Sequence, residues 1–417
     1  MVEGKILIPV LIAVGLLAGC GSATPPFECT DAIDCVEIAP GDPIKIGVLQ
    51  SLSGELALQG RQNLQCIELV LDDRGGEFLG HPTEIHSADS QCSGEGGTTA
   101  ALKVAADPQI VGIIGPTCSG AAATAMKVLS KAGLVAISAS SSSPSLTSVA
   151  GEQGPDWQPG FLRTAQNDAL VGRAAATYAF EQLGVTRAAT IDDGDPYTRG
   201  LADTFEQAFT ELGGQVVMAT AVNKGDTDMQ PVLTAVAASG AELLFFPVFR
   251  MEGDYIVLQA NDMDELESVT LMSAEGLYFD AFIEAVGQAG VGMYFNTPMR
   301  PEGPDYDAFM TRYQTKYNEL PTSSPYPPHT YDAVNLLLDT IGAVAVQEED
   351  GTLHIGRQAL RDALYATAGY QGLTGSLTCD QYGDCGGGRF QVVRLDDPAA
   401  GLEGVAANVV YTYPDGE

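Results

Sequence analysis

The residues best placed for chemistry in this chain are serines at the ends of apolar runs. Ser119 closes IVGIIGPTCSG, and Ser140, Ser141 and Ser142 close LVAISASSSSP. Each segment reads as a buried strand, a turn of Gly and hydroxyl residues, and the start of a helix. The first amides of a helix have no acceptor within it, so with nearby hydroxyls they can hold a small anionic group, typically a carboxylate. Any one of these serines could simply cap a helix. Two consecutive units with the same chemistry favour an anion site.

Catalysis by Ser119 is not expected. Thr117 and Ala121 stand where a G-x-S-x-G motif needs glycines, and the histidines His81, His86, His329 and His354 are scattered. No G-x-x-x-x-G-K-[ST] occurs, so Lys224-Gly225-Asp226 reads as a loop rather than a phosphate cradle. Neither a cofactor nor a metal site is expected, because no C-x-x-C pair accompanies those histidines.

The elements that must position the serines alternate strand and helix. Strands are expected over 44–50, 83–87, 110–114 and 134–137, with helices over 63–73, 100–105 and 121–131. A break at 151–160 (GEQGPDWQPG) precedes a second series: helices 170–183, 201–212, 229–239 and 253–261, and strands 188–192, 215–222, 241–248 and 269–272. Repeated βαβ units imply an α/β fold with two parallel sheets covered by helices. The stretch 306–366 reads as mostly helical and is expected to pack back onto the first sheet.

With 417 residues and 45% hydrophobic content, the chain can bury two cores of ordinary domain size. Lys and Arg number 20 against 54 Asp and Glu, a net charge of −34. That surface repels nucleic-acid phosphates, so no nucleic-acid partner is expected. The N-terminus has Lys5, an apolar run over 6–17 and then Leu17-Ala18-Gly19-Cys20. This looks like a bacterial lipoprotein signal, with residues 1–19 removed, Cys20 lipidated and residues 20–43 a linker from the membrane anchor. The expected location is outside the cytoplasm, at the cell membrane or in the periplasm. An exported chain with 8 cysteines suggests disulfides. Cys29 and Cys35, like Cys379 and Cys385, lie six apart around acidic turn-like segments and suit local loops. Cys92 and Cys118 would then pair, leaving Cys66 in a helix as a buried thiol; spacing alone leaves the pairing of Cys29, Cys35, Cys66, Cys379 and Cys385 open.

Taken in order, KIGVLQSLSG, VGIIGPTCSG, AISASSSSP, the arginine of FLRT, DDGDPYTRGLADTF, NKGDTDMQPVL, SAEGLY and HTYDAVNLL resemble the leucine/isoleucine/valine-binding protein family. These are type I periplasmic solute-binding proteins of ATP-driven (ABC) amino-acid importers. The resemblance runs from about Ile44 to the C-terminus. It implies two Rossmann-like lobes joined by three crossings, near 161–164, 295–298 and 375–378, that close on a ligand. The N-terminal lobe would comprise residues 44–162 and 297–375, and the C-terminal lobe residues 163–296 and 376–417. Ser119 and Ser142 would then hold an amino acid's carboxylate, with the Ser140 carbonyl and Glu275 facing its ammonium. Tyr197 would contact ligand from the second lobe, and a Cys92–Cys118 bridge would brace the ligand turn beside Cys118. Gln59 and Thr117 stand where the family carries an aromatic residue and a leucine, Phe249 replaces a tyrosine, and Tyr326 lies where a pocket phenylalanine is expected. The implied function is capture of an amino acid, branched-chain or related, for delivery to permease subunits. The alternative is a ligand sensor, for an amino acid, small amide or carboxylic acid, that signals to a receptor.

Overall fold

A computed structural model describes Met1 and residues 27–321 and 324–413. The signal segment, Cys20 and the linker up to residue 26 lie outside the described residues. Among the described residues no helix is long and apolar enough to cross a membrane.

The chain folds into two α/β lobes. The first sheet has six strands, in the order Glu77–Phe78, His81–Asp89, Ile44–Gln50, Ile110–Ile114, Ala136–Ser138 and Phe161–Arg163. It is parallel throughout except for the two-residue edge strand. Every residue of Ile110–Ile114 is buried, which is why that run shows no alternation of polar and apolar residues. Its helices are α1 (Ala57–Asp73), α2 (Gly94–Ala105) and α3 (Ser119–Lys131). The helix Pro327–Val344 returns to this lobe as expected, packing Ala333, Leu337 and Ile341 into the core formed by Ile46, Val48 and Ile114.

The second sheet has seven strands, in the order Gln215–Ala221, Arg187–Asp192, Leu243–Phe245, Thr270–Ala274, Tyr294–Pro298, Phe390–Arg394 and Val409–Tyr413. The first five are parallel, Phe390–Arg394 runs antiparallel to them, and Val409–Tyr413 pairs antiparallel with Phe390–Arg394. Helix α4 (Asp168–Thr177) opens this lobe, followed by α5 (Pro196–Glu211). Asn167 caps α4 by accepting the Ala169 amide, and Asp195 caps α5 by accepting that of Tyr197.

Two expectations need correction. The segment before Ile44 is not all linker. Cys35–Ile38 forms a strand antiparallel to Leu353–Gly356, burying Val36 and Ile38 in the first core while Glu37 faces out. The third crossing also lies later than 375–378. Leu377 and Cys385 belong to the first core and Phe390 to the second, so the chain changes lobe at residues 386–389, the sequence GGGR.

The bridges found are Cys29–Cys35, Cys92–Cys118 and Cys379–Cys385, with Cys66 free and buried. Beside the first and third crossings lies a buried ion pair. The Arg163 side chain is wholly enclosed, and its Nε donates to Asp384 Oδ1 at 2.5 Å. Its Nη1 donates to the carbonyls of Ser141 and Ser143, at 3.1 and 2.8 Å, and its Nη2 to Thr147 Oγ1. Burial pushes the Asp384 pKa up, but the Arg163 charge and hydrogen bonds from Asn167, Arg163 and Thr147 hold it below the usual range. Removing one partner of such a pair strands a buried charge. Asp384→Ala should therefore destabilise the protein by about 3 to 5 kcal/mol, read as a lowered urea midpoint without a change in slope.

Candidate functional site

The strand Ile110–Ile114 delivers the chain to Gly115-Pro116-Thr117-Cys118, and α3 starts at Ser119. No side chain caps α3, so its first amides stay open toward the space between the lobes. Most surrounding hydroxyls are spent inside the protein. Ser138 and Ser141 donate to the Pro116 carbonyl at 2.7 and 2.9 Å, and Ser140 donates to that of Thr117 at 2.8 Å. Thr117 donates to Gln50 Oε1 at 2.7 Å while accepting the Ser51 amide at 3.0 Å. They hold the two turns against each other. Ser119 differs, because its Oγ accepts the Ser143 amide at 3.1 Å and keeps its own proton to give. The Cys92–Cys118 bridge pins the start of α3, and Gly97 lets α2 approach so closely that a Cβ there would lie 2.4 Å from the Ala121 carbonyl oxygen.

An interlobe cavity lies in front of α3, with about 340 Å³ of empty space when its open mouth is included. Gln59, Thr117, Cys118, Ser119, Ser140 and Tyr326 line it from the first lobe, and Tyr197, Phe249 and Glu275 from the second. Ser142 does not reach it. The Ser142 hydroxyl donates to Asp168 Oδ2 at 2.9 Å, and both residues are fully buried behind the cavity wall. Its expected place on a ligand carboxylate is therefore not the one it occupies. Leu56, Gly276 and Phe279 also line the cavity and were not singled out from sequence. Gly276 and Phe279 adjoin SAEGLY, so proximity to Glu275 was the available signal. Asp168 carried none, since an acid in the first turn of a helix is ordinary.

Glu275 follows the strand Thr270–Ala274 and is 4% exposed. Tyr326 Oη donates to its Oε1 at 3.1 Å across the lobes, while Oε2 is buried with no partner. Tyr197 Oη accepts the Gly276 amide at 3.1 Å beside it. Burial pushes the Glu275 pKa up to about 7, outweighing the backbone, Tyr326 and Tyr197 hydrogen bonds that favour the ionised form. Asp168 is raised well above its ordinary value, by burial first and then by the nearby Glu275 charge. Among the described residues no lysine, arginine or histidine lines this cavity. Lys224 sits at the outer mouth, paired with Asp195 at 2.8 Å and lying 5.4 Å from the centre of the Phe249 ring. One end of the site thus offers open N–H donors and the other an unpaired carboxylate.

The lobes meet around this space. Ser143 Oγ donates to the Pro196 carbonyl at 2.7 Å. Gly120, in the first turn of α3, leaves room for the Asp195 carboxylate, whose Oδ2 lies 2.5 Å from where a Cβ would stand.

A family model described as periplasmic binding protein matches residues 43–398. The chain belongs to this family. A Leu/Ile/Val-binding protein homolog from Brucella melitensis is 25% identical over 365 residues, 86% of this chain and 94% of its own. An amino acid binding protein from Pseudomonas aeruginosa is 26% identical over 268 residues, 62% of this chain and 69% of its own. Among solved structures, a leucine-binding protein from Thermotoga maritima superposes with TM-score 0.73 at 22% identity, covering 85% of this chain and 96% of that one. A solute-binding protein from Rhodopseudomonas palustris, solved with benzoate, gives TM-score 0.68 at 19% identity, covering 85% and 93%. These two structures share the fold.

The buried carboxylate has a consequence for the unliganded protein. A carboxyl whose pKa is higher folded than unfolded keeps its proton in the native state while the unfolded chain loses it, so stability falls as pH rises between the two values. For Glu275 that window runs from the ordinary glutamate value of 4.5 to about 7. Glu275→Gln should therefore be more stable than the parent at about pH 8, by about 3 kcal/mol at most, and the advantage should vanish toward about pH 5. Urea titrations of ligand-free protein at several pH values measure it.

Proposed function

We propose that the protein captures an α-amino acid in the interlobe cleft and delivers it to the permease subunits of an ATP-driven importer. The observation that carries this reading is the unpaired Glu275 carboxylate across the cavity from the uncapped start of α3. The α3 amides and the Ser119 hydroxyl would take the ligand carboxylate, and Glu275, with the Ser140 carbonyl, its ammonium. Tyr197, Phe249 and Tyr326 would close around it.

The same charge argument separates two ligand classes found among the structural neighbours. One is a branched-chain amino-acid transporter's binding protein from Streptococcus pneumoniae, solved with isoleucine, and another was solved with benzoate. A benzoate-like acid would satisfy α3 but bring no cation to Glu275, which burial would then keep as the neutral acid. An amino acid satisfies both ends.

Calorimetry with a panel of amino acids tests the reading. At least one should bind, and Glu275→Gln should weaken it by about 2 to 5 kcal/mol, as for truncating one partner of a buried charge pair. Ser119→Ala should cost less, about 1 to 3 kcal/mol, because backbone donors remain. An unchanged dissociation constant in the Gln variant would overturn the reading. The membrane tether belongs to the same proposal. Cys20→Ala should shift the protein expressed in a bacterial host from the detergent phase to the aqueous phase in a phase-separation assay, since lipidation of that thiol supplies the anchor.

A further inference from the structure

The polar groups around the ligand's side-chain end can be accounted for one by one. Thr117 lines the cavity, but its hydroxyl is held between Gln50 Oε1 and the Ser51 amide, and Gln50 Oε1 also accepts Asn63 Nδ2 at 3.1 Å. The Tyr326 hydroxyl is spent on Glu275, and the Tyr197 hydroxyl beside Glu275 is engaged by the Gly276 amide. Leu56, Phe249 and Phe279 offer no hydrogen-bonding side chain. Gln59 is the exception. It lies in the first turn of α1, is 5% exposed, and lines the cavity with an amide that has no hydrogen-bond partner among the described residues.

Its position is fixed by the backbone. The next residue, Gly60, packs so tightly that a Cβ there would stand 1.8 Å from the Ser51 carbonyl oxygen. This holds α1 against the end of the strand Ile44–Gln50 and keeps Gln59 on the cavity wall. An apolar ligand side chain filling the space would bury that amide with its donors and acceptor unmet. A hydroxyl or carboxamide can meet them.

Resting on the amino-acid reading above, we propose that the ligand's side chain carries a hydroxyl or carboxamide and that Gln59 reads it. Apolar branched-chain amino acids are then the disfavoured ligands of this protein. A site built to hydrogen-bond its ligand rejects the apolar isostere strongly, whereas an apolar pocket discriminates weakly against an added hydroxyl.

Isothermal titration of the parent protein with two near-isosteric pairs tests the idea without any mutation: L-threonine against L-valine and L-asparagine against L-leucine. The polar member of at least one pair should bind at least about tenfold more tightly. Gln59→Leu should remove or reverse that preference while binding the apolar member as well as or better than the parent does. L-valine and L-leucine binding the parent as tightly as their partners would overturn the inference and leave the amino-acid reading standing. A polar preference that survives Gln59→Leu would remove Gln59 from it. Failure of every amino acid to bind, with the parent protein folded, would overturn both.

Discussion

The buried Arg163 guanidinium is the interaction on which the arrangement of the cleft depends. It sits at the end of the strand Phe161–Arg163, where the chain leaves the first sheet, and its partners come from separate places. Asp384 brings in the segment just before the third crossing, the carbonyls of Ser141 and Ser143 bring in the serine turn, and Thr147 the loop beyond it. A planar group with five donors can hold such a set in fixed directions, which a lysine cannot. The serine turn, once held, places the Ser143 amide on Ser119 Oγ and the Ser143 hydroxyl on the Pro196 carbonyl of the other lobe. Hinge, ligand turn and lobe contact are thus parts of one hydrogen-bonded unit.

The strand–helix frame was legible because parallel sheets covered on both faces leave a plain mark, short apolar runs without alternation ending at Gly or Ser. The runs Ile110–Ile114 and Ala136–Ser138 carry it. Two of the strands that were missed lack it. Val409–Tyr413 is an antiparallel edge strand with no fully buried residue, and Cys35–Ile38 is four residues inside an acidic leader. The resemblance placed the third crossing early, at the strand Gly375–Leu377. That strand instead forms a hairpin with Tyr370–Gly372, and residues after it return to the first core.

Which residues surround the cavity was legible to a greater degree than what each does. Resemblance to a family carries positions, and the positions of Gln59, Ser119, Tyr197 and Glu275 all face one space. It does not carry the direction of a hydroxyl. Ser142 turns to Asp168, and Ser140 and Thr117 turn inward, because buried donors take whichever acceptor the packing supplies. Asp168 stood in no motif. Its effect comes from sitting fully buried near a second carboxylate, a relation made by the packing of the second lobe rather than by local sequence.

That pair of carboxylates shapes how the cleft handles charge. Two buried acids close together cannot both ionise cheaply, and each one's burial raises its pKa. Asp168 is raised by burial and receives a hydrogen bond from Ser142, whereas Glu275 lies against the cavity with one oxygen free. The division of roles follows from position. An arriving ammonium can reach Glu275 and neutralise it, while Asp168 is out of reach behind the wall. A single ligand positive charge is then balanced by a single carboxylate charge in a place with little water. Closure around an amino acid then leaves one net negative charge, that of the ligand's own carboxylate, and it is met by the uncapped end of α3, whose aligned amides favour an anion.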